Sequence, residues 1–165
     1  MNEKDRALAL GVLKQFRVLL RSMDNHYRRV ERRSGLGGAQ LWALSEAAHP
    51  SGLTLGELAA RLAIHLSTAS NLVSRLESLG LVERRREADD RRKVCIRATA
   101  AGKRALKRAP PPSAGLLQQA LMRMDRRELL ALQKSLARLL RRMGHPDRAG
   151  AAVPLGSLLG RAPLR

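Results

Sequence analysis

Aromatic side chains are nearly missing from this 165-residue chain, in which Phe16, Tyr27 and Trp42 are the whole set. Proteins that stack single-stranded bases on aromatic platforms need several such rings, so that class is excluded. Cysteine is scarcer still. Cys95 stands alone, so neither an intrachain disulfide nor a multi-cysteine metal site can form. His49, His65 and His145 are scattered, and neither a metal site nor a cofactor is expected. No apolar run reaches the roughly 18 residues of a membrane helix, so no membrane partner is expected. The opening MNEKDRALAL carries acids and has no apolar core with a cleavage site. No signal peptide is therefore expected, and a reducing cytoplasm fits. Acidic residues are also few: 14 Asp and Glu stand against 32 Lys and Arg, a net charge of +18. Such a charge must repel itself or meet a polyanion, and nucleic acid is the commonest one in the cytoplasm.

What is present is a helical chain with one interruption. Hydrophobic residues make up 44%, enough for a core, and the length suits one domain, or one domain plus a tail. Leu13, Phe16, Leu20, Met23, Tyr27 and Val30 recur at spacings of three and four, which predicts one long helix over the first 33 residues. The glycines of Ser34–Gly38 end it, and a short helix follows from Ala39 to about Ala48. Thr54 and Glu57 form a capping box before Leu55, Leu58, Ala59 and Leu62. Ser67 is the expected N-cap of a helix that runs to Leu79 and buries Ala69, Leu72, Val73 and Leu76, with Gly80 as its stop. From Leu81 to Arg97 the period changes to two around Glu87-Ala88-Asp89-Asp90, which predicts a β-hairpin with a charged tip. Thr99 caps a further helix, Pro110-Pro111-Pro112 breaks it, and helix resumes near Ala114. Asp125 to Glu128 begins the last helix, with a stripe of Leu129, Leu132, Leu136, Leu139 and Met143. Beyond Gly144 no period is sustained, so a flexible tail is expected.

The order helix, tight turn, helix, hairpin over Thr54 to Thr99 is that of a winged helix-turn-helix. A second helix of about 13 residues spans roughly 20 Å and fits a major groove. Its outward residues would be Thr68, Ser70, Asn71, Ser74 and Arg75, with His65 and Ser67 at the N-terminal end. Asn can bond an adenine edge in a bidentate way, and Ser and Thr can reach bases or phosphates. The hairpin from Arg84 to Arg97 holds seven basic residues against three acids. Arg84, Arg85, Arg86, Arg91 and Lys93 are expected at phosphates. Arg92 suits a flanking minor groove, with Asp90 placed to hold its guanidinium.

Several segments together resemble the multiple-antibiotic-resistance regulator (MarR) family. They are Gly38 to Leu44, Leu58 to Leu62, Ser67 to Val82, Asp90-Arg91-Arg92 and Ala98 to Gly102, within a resemblance that covers about residues 5 to 143. The resemblance implies a homodimer whose N- and C-terminal helices interlock, with small molecules bound between the dimer and DNA-binding parts. It matches Asp90 and Arg92 to the family's wing Asp-x-Arg, and Ser67 to Arg75 to its recognition helix. Ala98-Thr99 departs from the usual Leu-Thr, and the triple proline interrupts the helix after the wing. The reactive cysteine of the peroxide-sensing branch has no counterpart in the first helices, and Cys95 reads as a plain strand residue.

The expected fold is mainly α with a small β-hairpin: a winged helix-turn-helix over 37–109, a helical dimerisation domain from 1–36 and 110–143, and a tail over 144–165. The two terminal stripes support a joint bundle, within or between chains. The expected function is sequence-specific DNA binding by a transcriptional repressor, on a pseudo-palindromic operator in double-stranded DNA. A small aromatic or lipophilic effector is expected among Phe16, His26, Tyr27 and Trp42, whose alternative role is core or dimer contact. The competing reading is a non-specific nucleoid-associated or RNA-binding basic protein. No P-loop, His-Glu-x-x-His or Gly-x-Ser-x-Gly motif occurs, so an enzyme is not expected.

Overall fold

The computed structural model describes residues 2–86 and 94–159. The chain opens with helix α1, Glu3–Ser34, whose N-cap Asn2 accepts a hydrogen bond from the Asp5 amide at 2.8 Å. It ends at Gly35, whose left-handed φ of 69° lets its N–H reach the Glu31 carbonyl. The predicted stripe splits in two. Its members Met23, Tyr27 and Val30 are buried, with His26 beside them, whereas Leu13 and Leu20 remain exposed.

Helices α2 (Gly38–Ala47), α3 (Leu55–Leu62) and α4 (Leu66–Ser78) pack on one another and on the antiparallel hairpin β1 (Val82–Arg86) and β2 (Val94–Ala98). Leu41, Leu44, Leu58, Val73, Leu76 and Ile96 form the sealed centre of this core. Each large side chain so buried contributes about 1.5–3 kcal/mol. The Thr54 box forms as expected: its hydroxyl accepts from the Glu57 amide, and Glu57 accepts from the Thr54 amide. Leu53 pairs with Ile96 through two backbone hydrogen bonds and ties the α2–α3 connection to the hairpin. Helix α5 (Ala100–Arg108) follows at once. The Thr99 hydroxyl accepts from the Gly102 amide and donates to the Gly80 carbonyl, so it closes the hairpin and starts the helix together.

Past the prolines come α6 (Leu116–Arg123) and α7 (Arg126–Arg142), the latter opened by the Asp125–Glu128 capping box. No residue of α6 or α7 is buried in the protomer.

Three details differ from expectation. Helix α4 begins at Leu66 with His65 in the cap position and no side-chain cap, so Ser67 lies inside the helix. The cause is Ala63, whose left-handed φ of 53° ends α3 and turns the chain one residue early enough for Leu66 to start the next helix. Helix after the prolines resumes at Leu116, behind Gly115, not near Ala114. Finally, residues after Gly144 are not without regular structure. A 3-10 turn (Arg148–Ala152) leads to helix α8 (Leu155–Leu159), which packs on α1 and α2.

Candidate nucleic-acid interface

Helix α4 sorts its residues by period. Ala69, Val73 and Leu76 turn inward and are buried. His65, Ser67, Asn71, Ser74 and Arg75 are exposed, and Thr68 and Ser70 are half-buried beside them. One face of a 13-residue helix thus carries two serines, an asparagine and an arginine with their side chains in solvent. The His65 side chain makes no capping hydrogen bond, so the first turn of α4 lacks that acceptor, which suits an anion's oxygen.

The hairpin divides the arginine run. Successive strand residues point to opposite faces, and directly paired residues share one. Arg84 and Arg86 lie on the face with Ile96 and Val94, while Glu83 and Arg85 lie on the face with Arg97 and Cys95. Arg84 reaches Glu77 of α4 at 3.4 Å, so its face is the one turned towards the helix. Arg85 instead pairs with Glu83 at 2.7 Å. The structure therefore places Arg84 and Arg86 beside the α4 surface and Arg85 behind it. Asp90, Arg91, Arg92 and Lys93 lie outside the described residues. Cys95 is buried in β2.

The four residues expected around an effector are not brought together. His26 and Tyr27 meet edge to face with ring centroids 5.9 Å apart. The His26 Nε2–H donates to the Pro112 carbonyl at 3.1 Å, and Nδ1 is buried with no partner among the described residues. Burial pushes its pKa below the usual histidine range, against the opposing pull of that hydrogen bond, and the Arg29 charge adds to the lowering. Tyr27 rests on Gly38, where any Cβ would collide with its ring, and burial raises its phenol pKa despite a hydrogen bond with Gln118. Phe16 sits elsewhere, in an apolar groove of about 570 Å³ lined by Val12 and Leu19 of α1, Leu117 and Leu121 of α6, and Leu136 and Leu139 of α7. Trp42 packs against the winged-helix core and donates its indole N–H to Glu46. Arg97 and Lys103, which face a cleft behind the hairpin, were not among the sequence candidates. The acid-free run Lys103-Arg104 and Lys107-Arg108 is the signal that marks that region.

Among the described residues no cluster of His, Cys, Asp and Glu could hold a metal ion, and no helix is long and apolar enough to cross a membrane.

Residues 34–93 match the family model described as "MarR family". The chain is similar to a solved MarR family protein from Bacillus stearothermophilus, at 26% identity over 88% of this chain and 99% of that one, with a TM-score of 0.51. It is also similar to the transcriptional regulator BldR from Sulfolobus solfataricus, at 26% identity over 84% and 99%, with a TM-score of 0.53. A third is CouR from Rhodococcus jostii RHA1, solved bound to p-coumaroyl-CoA, at 26% identity over 58% and 66%, with a TM-score of 0.51. No curated protein matches the chain in sequence.

Proposed function

We propose that this chain, a winged helix-turn-helix protein of the MarR family and a DNA-binding regulator, represses transcription in the cytoplasm as a homodimer on a pseudo-palindromic operator. The observation that carries this reading is α4 itself: a polar, exposed face bearing Asn71, Ser74 and Arg75, backed by a fully buried apolar one. At 1.5 Å per residue this helix is roughly 20 Å long and enters a major groove about 12 Å wide. Asn71 reads a base edge, Ser67 and Thr68 with the helix N-terminus take phosphate oxygens, and Arg75, Arg84 and Arg86 neutralise the backbone alongside. Arg92, aimed by Asp90, probes the neighbouring minor groove.

A homodimer is supported by the apolar surface left open on α1 and α7, where Leu8, Leu13, Leu20, Leu129 and Leu139 are exposed. A two-fold mate would set two α4 helices about 34 Å apart, one turn of duplex. Binding blocks polymerase at the promoter. Release by a small aromatic or lipophilic effector would act by favouring a spacing that no longer fits DNA.

A nuclease footprint on the DNA upstream of the protein's own gene tests this. A protected inverted repeat at moderate salt is expected. Equal affinity for that DNA and for random duplex would overturn it in favour of non-specific binding, the reading that the +18 charge also permits.

A further inference from the structure

Charge is spread unevenly along the chain. Residues 38–99, from α2 to the end of the hairpin, carry 9 Lys and Arg against 7 Asp and Glu, a net of only +2. The remainder carries 23 against 7, a net of +16. The reading head thus supplies little of the attraction that so basic a protein exerts on a polyanion. Helix α5, next to the hairpin, has Lys103, Arg104, Lys107 and Arg108 exposed and no acid in its length.

Lys103 is more than a surface charge. With Arg85 of β1 and Arg97 of β2 it lines a cleft of about 260 Å³, walled by the end of α2 from Ala47 and Ala48 to Pro50. Glu83 is the one carboxylate of that lining, and it is engaged by Arg85 at 2.7 Å. Arg97 is held in place: its Nη1 donates to the Pro50 carbonyl at 2.7 Å, and its side chain lies so close over Gly52 that a Cβ there would come 2.8 Å from its Cγ. Lys103 has no ion-pair partner among the described residues, and Lys107 lies one turn further along the same face. The strand alternation described above puts this cleft on the side of the hairpin turned away from α4.

We propose that the cleft and the Lys103–Lys107 ridge form a second phosphate-backbone site for duplex DNA, separate from the surface that α4 presents. The proposal rests on the DNA-binding reading and adds where the excess charge acts. Phosphodiester oxygens are the ligand, and they come either from the operator's own flanks, bent back around the hairpin, or from a second duplex held at the same time. Arg97, fixed by the Pro50 carbonyl, sets the floor, while Lys103 and Lys107 follow the backbone across about one helical turn of protein.

The test compares the full-length protein with the Lys103→Gln/Lys107→Gln variant. One arm measures affinity for a minimal operator and for the same operator with long flanks. The other measures capture of labelled random duplex by protein held on a tethered operator. The expected result is that flanks tighten wild-type binding, or that wild type captures the second duplex, by about tenfold over the variant. The salt slope of that extra binding should fall by about two in the variant. Gain from flanks identifies the bent operator, and capture identifies the second duplex. A variant that matches wild type in both arms overturns the proposal. So does one that loses the minimal operator equally, because the lysines would then belong to the α4 interface. If footprinting finds no operator, the functional reading fails, yet the salt slope on random duplex still tests the two lysines by themselves.

Discussion

In the winged helix, Leu41, Leu44 and Val73 are sealed at 0% exposure, whereas on α7 no residue is buried and Leu129, Leu136 and Leu139 stand 38–43% exposed. The charge runs the other way, with +2 on the winged segment and +16 on the rest. The winged helix closes its own core and spends its surface on a small set of polar contacts. The long helices leave both an apolar stripe and a surplus of cations for other molecules to meet. Residual apolar surface of this kind on paired long helices is what a symmetric mate covers. Surplus cations are what a polyanion covers. One segment closes its own core, and the other leaves the apolar surface that the proposed dimer would cover.

Leu44→Ala should separate the two plans most strongly. The side chain is fully enclosed by the winged-helix core, so its truncation should cost about 2–5 kcal/mol in chemical denaturation. A loss below about 1 kcal/mol would mean that the core can collapse around the gap and is less tightly built than the burial indicates.

Leu136→Asp probes the other plan. Leu136 is 39% exposed and lines the groove between α1, α6 and α7, so a carboxylate there meets water in the protomer and would meet apolar surface in the proposed dimer. The protomer's circular dichroism should remain native while sedimentation shows monomers. Operator affinity should fall by at least about 100-fold, because two half-sites are no longer bound as one. A variant that sediments as wild type would remove this stripe from the interface.

The elements that were legible in the sequence are the ones set by neighbours three or four residues away. The Thr54–Glu57 and Asp125–Glu128 boxes and the glycine stops at Gly35 and Gly80 formed as read, and of the α4 face Ala69, Val73 and Leu76 are buried while Leu72 is half-buried. The start of α4 was misplaced because it depends on one left-handed alanine, Ala63, which no local preference announces. The run Arg84-Arg85-Arg86 looked like a single basic patch, but the pleat sends Arg85 to the opposite side. The aromatic cluster failed for a geometric reason. Phe16 and His26 lie ten residues apart on one helix, roughly 15 Å, and only distant segments decide what each one meets. Tyr27 meets Gly38, and His26 meets the Pro112 carbonyl, a contact across 86 residues.

That last contact lies wholly outside the winged segment and ties α1 to the chain beyond α5, and pH should weaken it by the smallest of these effects. His26 sits on α1 and bonds the carbonyl of Pro112, in the proline joint that follows α5. Its Nδ1 has no partner among the described residues, so protonation would bury a charge and an unpaired N–H beside Arg29. Burial lowers the folded-state pKa below the unfolded value of 6.5. The unfolded chain therefore binds more protons, and the stabilisation from neutral His26 is full above 6.5 and is lost as pH falls towards the folded pKa. The slope cannot exceed one proton, about 1.4 kcal/mol per pH unit. Denaturation midpoints from about pH 7.5 to about pH 5 should show this decline, and His26→Gln, which keeps a donor for Pro112 but cannot titrate, should flatten it. If the variant keeps the wild-type slope, the proton goes elsewhere and the contact between α1 and the proline segment is indifferent to pH.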